Sequence, residues 1–258
     1  MSELTAPEVA IPRARLEALR RVAIVPAHNE EGSIGGVVRE IRAFDEGLEI
    51  VVIDDGSWDR TARVARDAGA RVVSLPFNLG IGGAVQTGYR YARAHGFELA
   101  VQVDADGQHD PAELTKLLAP LVRDEADVVT GSRFHGENGS YRPPLSRRLG
   151  ITWFAKLVSL LSRQRVTDTT SGFQALNRPA IALFARDYPS DYPEVEATVL
   201  LLKHRLRLLE VPVEMRERET GSSSITFLRS LYYAVKVTLA LFVGIARRSA
   251  VPTEETHR

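Results

Sequence analysis

The sequence predicts an α/β fold: a mostly parallel central sheet with helices on both faces. Two observations carry this. Short apolar runs of strand length alternate with stretches of helical spacing from Val22 to Thr130. Each run is nearly all apolar rather than alternating, as for strands covered on both sides. A third observation points to a site. Polar clusters follow the ends of the runs, where ligands bind in sheets of this kind.

The elements follow in order. Residues 1–20 form a tail with a short helical piece and have no apolar core flanked by a cleavage site, so no signal peptide is expected. Val22–Val25 is the first strand and ends at Pro26. Ser33 is the expected cap of a helix carrying Ile34, Val37, Val38 and Ile41. Ile50–Ile53 is the second strand, stopped by Asp54-Asp55-Gly56-Ser57. Asp59 caps the next helix and Gly69 closes it. Arg71–Leu75 is a third strand, a helix spans about Gly82 to His95, and Leu99–Val103 is a fourth strand. Pro111 opens the following helix. Asp127–Thr130 is a fifth strand.

Beyond Gly131 the rhythm changes. A Gly-, Ser- and Pro-rich loop over 136–144 precedes a helix over 146–161. Then come a loop over Asp168–Phe173, a helix near Glu194–Lys203, a strand near Arg207–Val213 and a polar stretch over Arg216–Ser224. Residues 225–248 form an amphipathic helix and 249–258 a tail.

Composition excludes several classes. Lys plus Arg and Asp plus Glu each number 33, so no net charge draws the chain to nucleic acid. Cysteine is absent, which removes disulfides, thiolate nucleophiles and zinc–thiolate sites. No uncharged apolar stretch reaches the roughly 20 residues that span a bilayer. The expected location is the cytoplasm, extending to the inner face of the cytoplasmic membrane.

The acidic run Asp104-Ala105-Asp106 ends the fourth strand. Alternate residues of an extended segment face the same way, so both carboxylates can share a divalent cation, or one can hold a sugar hydroxyl. Oxygen ligands suit magnesium or manganese, which complete their shells with substrate phosphates. A solvated turn is the plain alternative. A calcium loop is excluded, because the sixth position from Asp104 is His109 instead of Gly and the twelfth is Thr115 instead of Glu. Gly80-Ile81-Gly82-Gly83 lacks the dinucleotide-binding spacing, and no phosphate loop of the Gly-x-x-x-x-Gly-Lys type occurs. The histidines lack zinc spacing; His204 reads as structural or exposed, and His109 stands beside the carboxylates with its role open.

The clusters Pro26-Ala27-His28-Asn29-Glu30-Glu31, Asp54-Asp55-Gly56-Ser57, Asn78-Leu79-Gly80-Ile81-Gly82, Asp104-Ala105-Asp106-Gly107-Gln108-His109 and Gly131-Ser132-Arg133 together resemble family 2 glycosyltransferases of the GT-A fold. Asp168-Thr169-Thr170-Ser171-Gly172-Phe173, Glu210-Val211-Pro212-Val213 and Arg218-Glu219-Thr220-Gly221-Ser222-Ser223 are similar to the branch of dolichyl-phosphate mannose synthases and polyprenyl-phosphate glycosyltransferases. The resemblance covers roughly residues 20–225. It implies a GT-A domain over 21–224, with a nucleotide-sugar half at 21–133 and an acceptor half at 134–224.

The resemblance also implies roles. Pro26, Ala27, Asn29 and Glu30 line the nucleotide pocket, Glu30 near the ribose. Asp55 reads the base or ribose with Asp54 behind it, and Asn78 and Gly82 belong to the donor pocket. Asp104, Asp106 and Gln108 surround Mg2+ or Mn2+ and the diphosphate of a GDP-, UDP- or dTDP-sugar. Arg133, Arg218 and Ser223 meet phosphate oxygens. Two positions depart from the branch: Ser224 and Ile81 stand where relatives often carry Lys.

The implied reaction is an inverting hexosyl transfer, most readily to a polyprenyl phosphate, whose oxygen needs no strong base. A saccharide or small-molecule hydroxyl acceptor would need one, and Glu194 and Glu196 are the candidates; their plain reading is helix-start acids. A sugar-phosphate nucleotidyltransferase or a non-catalytic nucleotide-sugar binding module are the other classes. The first lacks its basic glycine-rich loop here, and the carboxylate pair argues against the second. Residues 225–248 are expected to meet a membrane surface, their own domain or a second subunit.

Overall fold

The computed structural model describes residues 13–132, 171–189, 197, 198, 200, 201 and 203–216. The chain divides into two units, Met1–Ser222 and Ser223–Arg258, and every described residue belongs to the first. The expected loop over 136–144 and the helices over 146–161 and 225–248 lie outside the described residues.

A short helix α1 (Arg13–Ala18) leads into β1 (Arg21–Ala27), followed by α2 (Ile34–Phe44), β2 (Glu49–Asp54), α3 (Thr61–Asp67), β3 (Arg71–Ser74), α4 (Gly80–Ala94) and β4 (Leu99–Gln102). A single 3-10 turn at Pro111–Glu113 continues into α5 (Leu114–Val122), and β5 (Val128–Ser132) follows. After the break come β6 (Gln174–Asn177), α6 (Arg178–Arg186) and β7 (Leu208–Pro212). Residues 197, 198, 200, 201 and 203 are helical, in the region where a helix is expected.

The strands form one seven-stranded sheet in the order β3-β2-β1-β4-β6-β5-β7. It is parallel except at β6, which runs antiparallel to both β4 and β5. Alternate residues of each strand enter opposite cores. On one face Ala23, Val25, Ile50 and Val52 pack against Val38 and Ile41 of α2 and Leu117 and Leu118 of α5. On the other, Val22, Ile24, Val51 and Ile53 pack against Val85 and Tyr89 of α4 and Ile181 and Phe184 of α6. All four central residues of β1, Val22 to Val25, are fully buried, which explains their unbroken apolar run. Helix α4 lies so close to β1 that a Cβ on Gly88 would overlap Ile24 Cγ2.

Three sequence expectations need correction. The β6 strand and the α6 helix after it were not anticipated. Gln174-Ala175-Leu176-Asn177 has no alternation, because three of its four side chains are buried and its glutamine belongs to a buried polar pair. Ser33 stands at the start of α2 but does not cap it through its side chain: its hydroxyl donates to Glu30 Oε2 at 2.9 Å. Helix α4 begins at Gly80, earlier than the Gly82 expected. By contrast, Asp110 accepts from Ala112 N–H at 2.9 Å with Pro111 at the first helical position, as anticipated.

Candidate active site

The site lies where β1, β2 and β4 end. Asp55 N–H donates to Ala27 O at 2.8 Å, which joins the ends of β2 and β1. Between them the chain is knotted by side chains. Asn29 sits at φ 57°, a left-handed conformation that asparagine tolerates. Its N–H donates to Ser57 Oγ (2.9 Å) and its Oδ1 accepts from Trp58 N–H (3.1 Å). With Oδ1 so used, its amide nitrogen donates to His28 Nε2 at 2.9 Å. That leaves the His28 proton on Nδ1, which donates to Asp55 O at 2.8 Å.

Asp59 accepts from Thr61 N–H at 2.9 Å and ties the start of α3 down, while Glu30 N–H donates to Thr61 Oγ1 at 2.8 Å. Burial pushes the Asp59 carboxyl up, but the Thr61 hydroxyl and backbone N–H outweigh it and hold the group below the usual carboxylate range.

Asp54 and Asp55 have different surroundings. Both are buried. Asp54 accepts from Ser57 N–H at 3.2 Å and closes its own turn. Asp55 accepts from Leu79 N–H at 2.7 Å and faces the cleft. Gly56 makes this possible. It has φ +66°, and a Cβ there would stand 2.7 Å from Asn78 N and Phe77 C. Asn78 in turn accepts from Gly80 N–H at 2.8 Å, at the entry to α4.

Across the cleft, Asp104 and Asp106 follow β4. Asp106 Oδ1 accepts from Gln108 N–H at 3.0 Å, with Gly107 at φ +80° in the turn. His109 settles the question left open by the sequence. It is 5% exposed, and its Nδ1 accepts from the Asp104 N–H at 3.0 Å. The proton of the neutral ring is then on Nε2, 3.6 Å from Asp104 Oδ2. The ring stacks on Phe173 at 4.5 Å and 18°. His109 also forms a backbone bridge with Met215, and Arg216 N–H donates to Gln108 O at 2.9 Å. The Arg216 guanidinium reaches Glu40 (2.6 Å) and Asp110 (3.1 Å).

These groups enclose a cleft of about 270 Å³. Of the residues singled out from sequence, Pro26, Ala27, Glu30, Asp55, Asn78, Asp104 and Asp106 line it. Asn29, Asp54, Gly82 and Gln108 do not. Asn29 and Asp54 hold the loops, Gly82 is buried within α4, and Gln108 engages through its backbone. Arg133, Glu194, Glu196, Arg218 and Ser223 lie outside the described residues. Sequence reasoning missed Gln102 and Gly172 as parts of the wall. The signal for Gln102 is a lone amide inside an apolar strand, two residues before Asp104. His204 is exposed and bonds to the Leu200 carbonyl of its own helix at 2.9 Å.

Among the described residues, no three His, Cys, Asp or Glu side chains converge as a metal cage. Two carboxylates on an open cleft suit Mg2+ or Mn2+, ions that keep few protein ligands and take oxygens from water and substrate phosphates.

A family model described as glycosyl transferase family 2 matches residues 22–184. The chain belongs to that family. Its relatives include the dolichyl-phosphate hexose transferase of Haloferax volcanii, 34% identical over 202 residues, 76% of this chain and 82% of the relative. Another is the UDP-N-acetylglucosamine–dolichyl-phosphate N-acetylglucosaminyltransferase of Methanococcus voltae, 30% identical over 74% of this chain and 83% of that one. Among solved structures, glucosyl-3-phosphoglycerate synthase of Mycobacterium tuberculosis, in complex with Mn2+, UDP and glucosyl-3-phosphoglycerate, superposes with a TM-score of 0.67. It is 23% identical, and the match covers 95% of this chain and 85% of that one. The fold of this family 2 chain is therefore GT-A, as its sequence motifs suggest.

Proposed function

We propose that this glycosyltransferase moves a hexosyl group from a nucleoside-diphosphate sugar to a polyprenyl phosphate, with inversion at the anomeric carbon. The observation that carries the reading is that groups from the ends of three strands line one cleft. Asp104 and Asp106 come from the end of β4, and Ala27, Glu30 and Asp55 from the ends of β1 and β2. The names of the dolichyl-phosphate relatives support the acceptor class.

In this reading Pro26, Ala27, Glu30 and Asp55 hold the nucleoside. Asp104 and Asp106 hold Mg2+ or Mn2+. The ion, when bound, neutralises charge on the departing diphosphate. An acceptor phosphate oxygen forms the new bond to the anomeric carbon as the bond to the diphosphate oxygen breaks. The acceptor oxygen is already anionic, so no side chain must remove a proton. Arg133, Arg218 and Ser223 are assigned to phosphate oxygens, since guanidinium forks match phosphate geometry. Glu194 and Glu196 act as base only if the acceptor is a hydroxyl. Work on a lipid acceptor places the protein at a membrane surface, with residues 225–248 as the contact. Among the described residues, no helix is long and apolar enough to cross a membrane.

The test is nucleoside-diphosphate release from UDP-, GDP- and dTDP-sugars, with Mn2+ or Mg2+, with and without undecaprenyl phosphate. Release that requires the lipid phosphate is the expected result. Release that a saccharide hydroxyl acceptor supports and the lipid phosphate does not would overturn the acceptor. No release from any donor would overturn the activity.

A further inference from the structure

The cleft contains a polar group that the donor and metal roles above do not use. Gln102, the last residue of β4, is 3% exposed and lines the cleft. It stands two residues before Asp104, a spacing that directs both side chains to the same side of an extended segment. In the antiparallel ladder Gln102 lies opposite Gln174 of β6. Gln174 Nε2 donates to Gln102 Oε1 at 3.2 Å and to the hydroxyl of the fully buried Tyr89 at 3.1 Å. Both protons of the Gln174 amide are thus used. The carbonyl end of Gln102 faces Gln174, so its Nε2 is turned the other way.

No hydrogen bond reaches that nitrogen among the described residues. A buried amide N–H without a partner is costly, which marks it as a group that awaits one. Gly172 lies beside it, where any side chain would crowd the amide. A Cβ on Gly172 would stand 3.0 Å from Gln102 Nε2, 3.4 Å from Asp104 Oδ1 and 3.6 Å from Asp104 Oδ2. An N–H donor and a carboxylate acceptor therefore lie together at the cleft wall beside Gly172. That pairing is complementary to two neighbouring hydroxyls of a pyranose, one accepting from the amide and one donating to the carboxylate.

We propose that Gln102 is a sugar-recognising residue that donates from Nε2 to a hydroxyl of the transferred hexose, with Gly172 making room for that hydroxyl. Tyr89 and Gln174 are positioning residues that fix the amide orientation from within the core. The proposal rests on the reading of the cleft as a nucleotide-sugar site and names the residue that selects the sugar within it. A site built to bond a hydroxyl discriminates strongly against donors that lack it, because the buried N–H is then left unpaired.

The test separates nucleotide from sugar. Binding of UDP, GDP, UDP-glucose and GDP-mannose, each with Mn2+, is measured by calorimetry on the full chain, alongside donor turnover. Wild type is compared with Gln102→Met and Gly172→Ala. Methionine keeps the volume but removes the donor, whereas Gly172→Ala sets a methyl against Gln102 Nε2 and crowds the position of the hydroxyl, with Tyr89, Gln174 and Gln102 themselves unaltered. Expected for both variants is nucleoside-diphosphate affinity within about twofold of wild type, with affinity or turnover for the matching nucleotide sugar lower by roughly tenfold or more. Unchanged handling of the nucleotide sugar, or equal weakening of nucleotide and nucleotide sugar, would overturn the role. If Gln102→Met fails to fold by circular dichroism, Gly172→Ala decides alone. A wild-type protein that binds none of the four ligands would overturn the nucleotide-sugar reading itself, before any variant is compared.

Discussion

The cleft wall after β1 and β2 is held by bonds among residues 27–61 and 77–80, whereas the wall after β4 also depends on Phe173, Met215 and Arg216. Each wall contains one histidine that accepts at one ring nitrogen, but the two carry their protons on opposite nitrogens. His28 donates from Nδ1 to a backbone carbonyl and locks one loop to its neighbour. His109 accepts at Nδ1 from Asp104 N–H and turns Nε2 toward the Asp104 carboxylate. The first wall is assembled from nearby sequence and needs little beyond it. The second is completed only when segments far along the chain return to the sheet. Shape at the nucleoside side is therefore a local property, and shape at the carboxylate side a global one.

The largest expected effect tests whether the second wall carries the chemistry. Asp106→Ala should lower turnover on the order of 10³-fold and abolish divalent-dependent nucleotide binding, with little change in melting temperature. Retained metal dependence in calorimetry would remove Asp106 from that role.

Next come paired substitutions at the two histidine neighbourhoods. His109→Ala should raise the Mn2+ concentration needed for half-maximal nucleotide binding by about tenfold, because ligand supports typically matter at that level. His109→Asn, whose side-chain oxygen can accept from Asp104 N–H, should recover part of it. Asn29→Ala should cost about 1–3 kcal/mol of stability and weaken nucleotide binding while the Mn2+ requirement stays put. A shifted Mn2+ requirement in Asn29→Ala would erase the distinction between the walls.

A smaller effect concerns a site away from both walls. Arg21, at the start of β1, pairs with Asp45 through two bonds of 2.7 and 2.8 Å. Burial pushes the Asp45 carboxyl up, but the Arg21 guanidinium and the Gly47 N–H outweigh it and hold it below its ordinary value. The folded chain then binds this proton less readily than the unfolded chain. The stability it contributes is complete above the unfolded pKa of about 3.9 and is lost as pH falls through the lower folded value. Melts between pH 7 and pH 3 should show a steeper decline below about pH 4 for wild type than for Asp45→Asn. Parallel curves would contradict this.

The smallest effect is expected from Arg216→Ala. Its guanidinium pairs are about half-exposed, so stability should change by less than about 1 kcal/mol in urea denaturation. A larger loss would mean that the guanidinium, and not the backbone bond from Arg216 to Gln108, holds the second wall.

The difference between the walls also explains what was legible in the sequence. The strands before residue 131, the sheet's parallel character and the four polar clusters follow from apolar runs and helical spacing, which are local signals. Asp55, Asp104 and Asp106 stand at strand ends, so their arrival in one cleft could be read from topology. The β6 strand could not, because a four-residue antiparallel strand with a buried glutamine shows neither period. The resemblance places Gln108 with the carboxylates, and the bonds that hold its turn run through its backbone, which sequence alone does not show. The role of His109 depends on Phe173 and Met215, whose proximity no spacing rule reveals.

One feature of the sheet bears on how such a protein can diversify. β5 ends and β6 begins side by side, with Thr130 opposite Gln174. Neighbouring strands lie about 4.8 Å apart, so the chain leaves and re-enters the sheet at nearly the same point. The connection between these two strands is thus anchored at neighbouring points, and lengthening a connection whose ends are fixed costs only slowly growing entropy. Its length and sequence can drift under selection while the ladder beneath stays in register.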